Sequence, residues 1–196
     1  MDSTMENTIR QAIQTHKAMV AQLEDQGVAV IVKAAAMLSC ALKRGGRVYV
    51  CGNGGSAADS QHFAAELVVR LTSQRNRSAL PAIALTVDSS IITAAANDFG
   101  FEHIFSRQVE ALGNSGDVFI GISTSGNSEN IVNAFRVAKG RSLTTFGLCG
   151  NAGIKEPALC DLALAVPSLM TARVQEEHLF ALHLLAELIE IKVFDK

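Results

Sequence analysis

Basic runs are missing from this 196-residue chain, which carries 17 Lys+Arg against 19 Asp+Glu for a formal net charge of −2. Without clustered Lys or Arg it lacks the electrostatic footprint that supplies most non-specific nucleic-acid affinity, so no nucleic-acid ligand is expected. Proline is scarce, at 3 residues, which argues against a sandwich of many short strands joined by turns. The four cysteines, Cys40, Cys51, Cys149 and Cys160, form no C-x-x-C pair, and the opening MDSTMENT is polar and acidic where a secretory signal is basic and then apolar. A reducing cytoplasm is the expected compartment. Apolar stretches are interrupted by Lys33, Asp88 and regular charges, so no uninterrupted membrane-spanning run is expected. A Gly-Lys-Ser/Thr triphosphate loop is also absent.

What is present is core material. Apolar residues make up 48% and charged residues only 18%, a balance that folds rather than stays disordered. The length suits one domain, residues 1–196, with no internal repeat or linker. Residues 5–24 place Ile9, Ala12, Ile13, Val20 and Leu23 on one helical stripe. A second helix is expected from Val28 to Leu42, apolar almost all round, stopped by Lys43-Arg44-Gly45-Gly46. Residues 1–45 therefore read as an N-terminal oligomerising helical pair, its apolar surface covered by another subunit. Residues 46–196 read as an α/β core. There the β-branched runs RVYVC (47–51), PAIALT (81–86), DVFIGI (117–122), LTTFGLC (143–149) and LALAVP (162–167) alternate with helical segments. Near-continuous apolar strands with long crossovers predict a five-stranded parallel sheet flanked by helices, doubly wound in the flavodoxin manner. A closing helix is expected over about 171–194.

Two junctions have the form strand, small polar loop, helix start: Gly52-Asn53-Gly54-Gly55-Ser56 and Ser123-Thr124-Ser125-Gly126-Asn127-Ser128. Such junctions present unpaired N–H groups and the positive end of a helix dipole, which suits an anion. An ordinary helix cap explains one loop as well; two at corresponding strand ends favour a phosphate. Gly52, Gly54 and Ala57 fit a permissive dinucleotide pattern, but no Asp or Glu follows between Glu66 and Asp88 to hold a ribose. His62 and Glu66, one turn apart, can share a metal or move protons; alone they would read as a surface ion pair. In the closing helix His183 sits among apolar residues and reads as a core histidine, whereas His178 follows Glu176-Glu177 and reads as more solvated.

The strings CGNGGSAADSQHFAAEL, ANDFGF, GDVFIGISTSGNSENI and TARVQEEHLFALH resemble the sugar isomerase (SIS) domain family and, within it, the phosphoheptose isomerases. The resemblance spans roughly 45–195 and is weaker before it. It implies conversion of sedoheptulose 7-phosphate to D-glycero-D-manno-heptose 7-phosphate, the first step toward ADP- or GDP-heptose and lipopolysaccharide heptose. It also implies a homotetramer with sites at subunit interfaces. Carried over by motif, Ser123, Thr124, Ser125 and Ser128 hold the phosphate with Ser56 assisting. Asn53, Gly54 and Gly55 line the substrate, and Asn97 and Asp98 meet its hydroxyls. One zinc per subunit falls to His62, Glu66, Gln175 and His183; Glu66 and Gln175 also touch substrate, and Glu66 and His183 form the acid–base pair. Gln175 and His183, however, stand about 12 Å apart along an ideal helix, which strains Gln175 as a ligand of the same ion. Asp98-Phe99-Gly100 also spells a kinase metal motif, without the catalytic loop that would give it meaning. Two alternatives remain at this point. One is a non-catalytic member, initiator-associating or sugar-phosphate-sensing; the other is an isomerase of a different sugar phosphate. Glu66 speaks against the first.

Overall fold

The computed structural model describes residues 3–195. The chain begins with α1 (Ser3–Gln22), a π-helical turn (Leu23–Gly27) and α2 (Val28–Lys43). These form one continuous rod of 41 residues, roughly 60 Å long, in place of the expected helical pair. Gly27 does not break it: its backbone stays right-handed helical at φ −90°, ψ −29°, and the π turn absorbs the irregularity. By length and composition this rod could cross a bilayer, against the sequence expectation, but 44% of its most apolar window is buried inside the fold. Ile31, Ala34, Ala35 and Leu38 of α2 are buried core residues, in the cluster that also holds Leu182, Leu185 and Ile189.

The sheet strands are β1 (Val48–Gly52), β2 (Ala82–Ala84), β3 (Val118–Ser123), β4 (Thr144–Cys149) and β5 (Leu162–Ala165). All pairings are parallel, in the order β2-β1-β3-β4-β5. Between or after them run α3 (Gly55–Val68), α4 (Ser89–Phe99), α5 (Ser106–Leu112), α6 (Glu129–Gly140) and α7 (Thr171–Phe194). Strand alternation feeds two cores. Val48, Val50, Ile120 and Ile122 join Phe63, Leu67 and Leu185 on one face, while Tyr49 and Phe119 join Phe105, Ile131 and Phe135 on the other. Each is a layer of large side chains closed to water, and truncating one such phenylalanine to alanine costs about 3–5 kcal/mol.

Strand order reverses between β1 and β3, because β1 leads outward to β2 whereas β3 leads to β4 and β5. In an open parallel sheet this switch point leaves a crevice beyond the strand carboxyl ends. The loop into α3 leaves β1 there, and the loop into α6 leaves β3.

Candidate active site

The two loops are tied together. Asn53 Nδ2 donates to Asn130 Oδ1 and Asn130 Nδ2 donates back to Asn53 Oδ1, both at 2.9 Å. Asn130, on α6 and buried, escaped the sequence reading; so did this use of the Asn53 amide. In the β3–α6 loop, Ser123 Oγ donates to Ser128 Oγ at 3.0 Å and lies 3.5 Å from Ser125 Oγ, so three of the four hydroxyl residues expected at the phosphate share one corner. Gly126 makes the turn at φ +70°, packed so closely that a Cβ would lie 1.6 Å from the Gly153 carbonyl oxygen. The Thr124 carbonyl accepts from the N–H of Gly150, pinning the loop from that side.

Neither α3 nor α6 has its N-terminus capped by a side chain. Gly54 enters α3 with φ +56°, open to glycine and offering no hydroxyl. By contrast Asp88 caps α4, its Oδ1 accepting from Ile91 N at 2.9 Å. Side-chain capping is thus absent from the two loops at the switch point, as it is from α2, α5 and α7.

Two turns into α3, His62 and Glu66 meet His183 from α7. His62 Nε2 and His183 Nε2 are 2.7 Å apart, and His62 Nε2 is 3.4 Å from Glu66 Oε1. Ligand atoms of all three residues lie within 4.8 Å of one another. This imidazole–imidazole–carboxylate set has the donor chemistry that holds a divalent metal ion. The Gln175 amide rests on the start of α3, where a Cβ on Gly55 would lie 2.6 Å from its Nε2, and its backbone stands two turns along α7 from His183.

Asp59 shares the α3 stripe with His62 and Glu66, at i, i+3 and i+7, and was also missed. Burial raises its pKa, offset by the nearby His62, and its Oδ2 is buried with no hydrogen-bond partner. The spacing D-x-x-H-x-x-x-E, which sets three titratable side chains on one helix face, is the sequence signal that could have found it. Asn97 and Asp98 lie at the end of α4, where Asn97 Nδ2 donates to Asp98 Oδ1 at 2.7 Å. Ser56 is buried in the first turn of α3.

The α7 histidines exchange places relative to the sequence expectation. His178 is buried and its Nε2–H donates to the Cys149 carbonyl at 3.1 Å, whereas His183 is part exposed at the site. All four cysteines are free. Burial raises the thiols of Cys149 and Cys160 to about 11 and about 12, leaving them unreactive.

A parallel sheet ordered 2-1-3-4-5 with polar loops at its switch point and titratable groups one helix away defines a class, and comparison with known families agrees. The SIS domain model matches residues 12–150, and the chain belongs to that family. Within it, the chain is similar to phosphoheptose isomerases. It is 48% identical over 190 residues to the one from Burkholderia pseudomallei, covering 97% of this chain and 94% of that protein. The solved phosphoheptose isomerase of Neisseria gonorrhoeae superposes with a TM-score of 0.88 at 40% identity, covering 95% of this chain and 98% of that one. That of Francisella tularensis gives 0.90 at 36% identity, covering 96% and 98%.

Proposed function

We propose that this protein isomerises sedoheptulose 7-phosphate to D-glycero-D-manno-heptose 7-phosphate. The observation that carries the reading is the convergence of His62, Glu66 and His183 on a helix that starts at one of the two switch-point loops. The phosphoryl group sits at the uncapped helix starts, among Ser123, Thr124, Ser125 and Ser128 with Ser56 assisting, and Asn53, Gly54, Gly55, Asn97, Asp98 and Gln175 face the sugar. Along α3 the rise from Gly55 to His62 is about 10 Å, so a sugar anchored at the helix start extends toward the titratable groups.

Converting the ketose to the aldose takes a proton from C1 and returns one to C2, while another moves between the two oxygens. Glu66 is placed to act as the carbon base: its carboxylate takes a proton from C1, exchanges it with solvent in the enediol state, and delivers a proton to C2. His183 gives a proton to the C2 oxygen as the enediol forms and recovers one from the C1 oxygen as the aldehyde appears. Positioned groups of this kind each contribute on the order of 10²- to 10⁴-fold. Zinc, when held by His62, Glu66 and His183, supplies a Lewis acid for the negative charge that builds on the sugar oxygens. Purified protein is expected to carry about one zinc per chain, lost on His62→Ala; full activity in metal-free protein refutes that part.

The protein works as a cytoplasmic homotetramer with sites at subunit interfaces. In support, Met5, Ile9 and Ile13 of α1 and Val28 and Val32 of α2 are exposed apolar residues along the rod. Solution mass measurement tests it, a monomer contradicting it.

The deciding assay is incubation with sedoheptulose 7-phosphate, with fructose 6-phosphate in parallel. An aldoheptose phosphate from the first supports the reading. Turnover of only the second reassigns the substrate, and binding without turnover of either indicates a sensor.

A further inference from the structure

The candidate base and acid lie on different helices, so their spacing depends on how α3 sits against α7. Arg77, in the segment between α3 and β2, touches both. Its side chain is 1% exposed, and Nη2 donates to the backbone carbonyl of Glu66 at 2.7 Å. Nη1 donates to the carbonyls of Leu67 at 2.8 Å and Ser78 at 3.0 Å. The last carbonyls of a helix have no partner within it, and a cation there complements the helix dipole. Arg77 fills that role at the residue that bears the candidate base.

The same guanidinium reaches α7, where Nε donates to Glu190 Oε1 at 2.7 Å. Glu190, with 4% of its side chain exposed, lies seven residues after His183 and so on the same face of α7. Its Oε1 also accepts from the backbone N–H of Leu71 at 3.1 Å, just past the end of α3. Arg75 Nε lies 3.7 Å from Glu190 Oε2, and the Phe194 ring centroid is 5.6 Å from the Arg77 guanidinium carbon. The pair thus joins the end of α3 to the end of α7 through a planar fork with fixed directions. Apolar residues of similar volume often hold a buried position as well as an ion pair does, so stability alone is a weak reason for this arrangement.

We propose that the Arg77–Glu190 pair is a positioning device that sets the spacing of His62 and Glu66 on α3 from His183 on α7. The proposal rests on the functional reading above. It asks of the pair what catalysis is sensitive to, since a misplacement of about 1 Å can lower a rate about 10²-fold.

Three variants test it: Arg77→Lys, which keeps the charge and loses the fork; Glu190→Gln, which keeps the shape and loses the charge; and the double replacement Arg77→Met/Glu190→Met. Turnover of sedoheptulose 7-phosphate, thermal unfolding and zinc retention against a chelator are measured on each. The single variants are expected to lose at least about tenfold in kcat with KM within about twofold, and to bind zinc at least about tenfold more weakly, as groups that orient metal ligands do. The double variant is expected to regain thermal stability while kcat and zinc affinity stay low. If kcat and zinc affinity return together with stability, or if Arg77→Lys matches the wild type in both, the pair is structural only and the proposal falls. Failure of the wild type to turn over the substrate refutes the functional reading instead, and zinc retention then decides the positioning claim alone.

Discussion

The two faces of α7 put the same side chain to opposite uses. His178 and His183 are five residues apart and so about 140° apart around the helix. The inner one is sealed against β4, its ring N–H spent on the Cys149 carbonyl, and burial lowers its pKa to about 4. The part-exposed one keeps a nitrogen directed at His62 and Glu66, where protons or a metal can be exchanged. Residue type decides neither role. A histidine becomes structural when it is buried with one ring nitrogen spent on a carbonyl, and chemical when other ligating groups converge on it at a part-exposed position.

The largest effect that would break this contrast belongs to the face that carries His183. His183→Gln and Glu66→Gln are each expected to lower kcat by about 10²- to 10⁴-fold with the thermal midpoint little changed. Steady-state assays beside thermal unfolding check this, and full activity in either variant removes that residue from the acid–base pair. The inner face should respond in stability. Between pH 6.5 and about 4 the unfolded chain carries a proton on His178 that the folded chain does not, so stability falls as the pH drops through that window, by about 3 kcal/mol from this group. Urea unfolding across the window measures it, and His178→Ala should flatten the dependence while leaving kcat of the folded protein intact. The smallest effects sharpen the same division at the helix starts. Ser123→Ala with Thr124→Ala should raise KM for the phosphorylated sugar. Asp88→Ala, at the capped start of α4, should cost about 1 kcal/mol of stability and leave KM alone.

Much of the scaffold was legible because buried parallel strands write themselves as short β-branched runs. All five expected strands lie within a few residues of their observed bounds, and the closing helix matches Thr171–Phe194. The switch point then follows from topology, and the two polar loops from their glycines and hydroxyls. Illegible features depend on distant partners. The sequence reading ends one helix at residue 24 and begins the next at Val28, yet a π turn carries the axis through. Glu177 and His178 read as solvent-facing because they are polar, but α7 turns them inward, where Glu177 Oε1 lies 3.2 Å from His16 Nδ1 of α1. The pairing of His62 with His183, 121 residues apart, came from family resemblance and not from any local pattern. Asn130 and Arg77 were invisible for the same reason: each matters through what it bridges.

The most direct test of the central claim, that Glu66 and His183 move protons on a seven-carbon ketose phosphate, is turnover of sedoheptulose 7-phosphate in heavy water with the product read by NMR. The account predicts D-glycero-D-manno-heptose 7-phosphate carrying solvent deuterium at C2, with product and label from Glu66→Gln appearing at least about 10²-fold more slowly. Product free of deuterium after prolonged equilibration, or labelled product from Glu66→Gln at the wild-type rate, would contradict it.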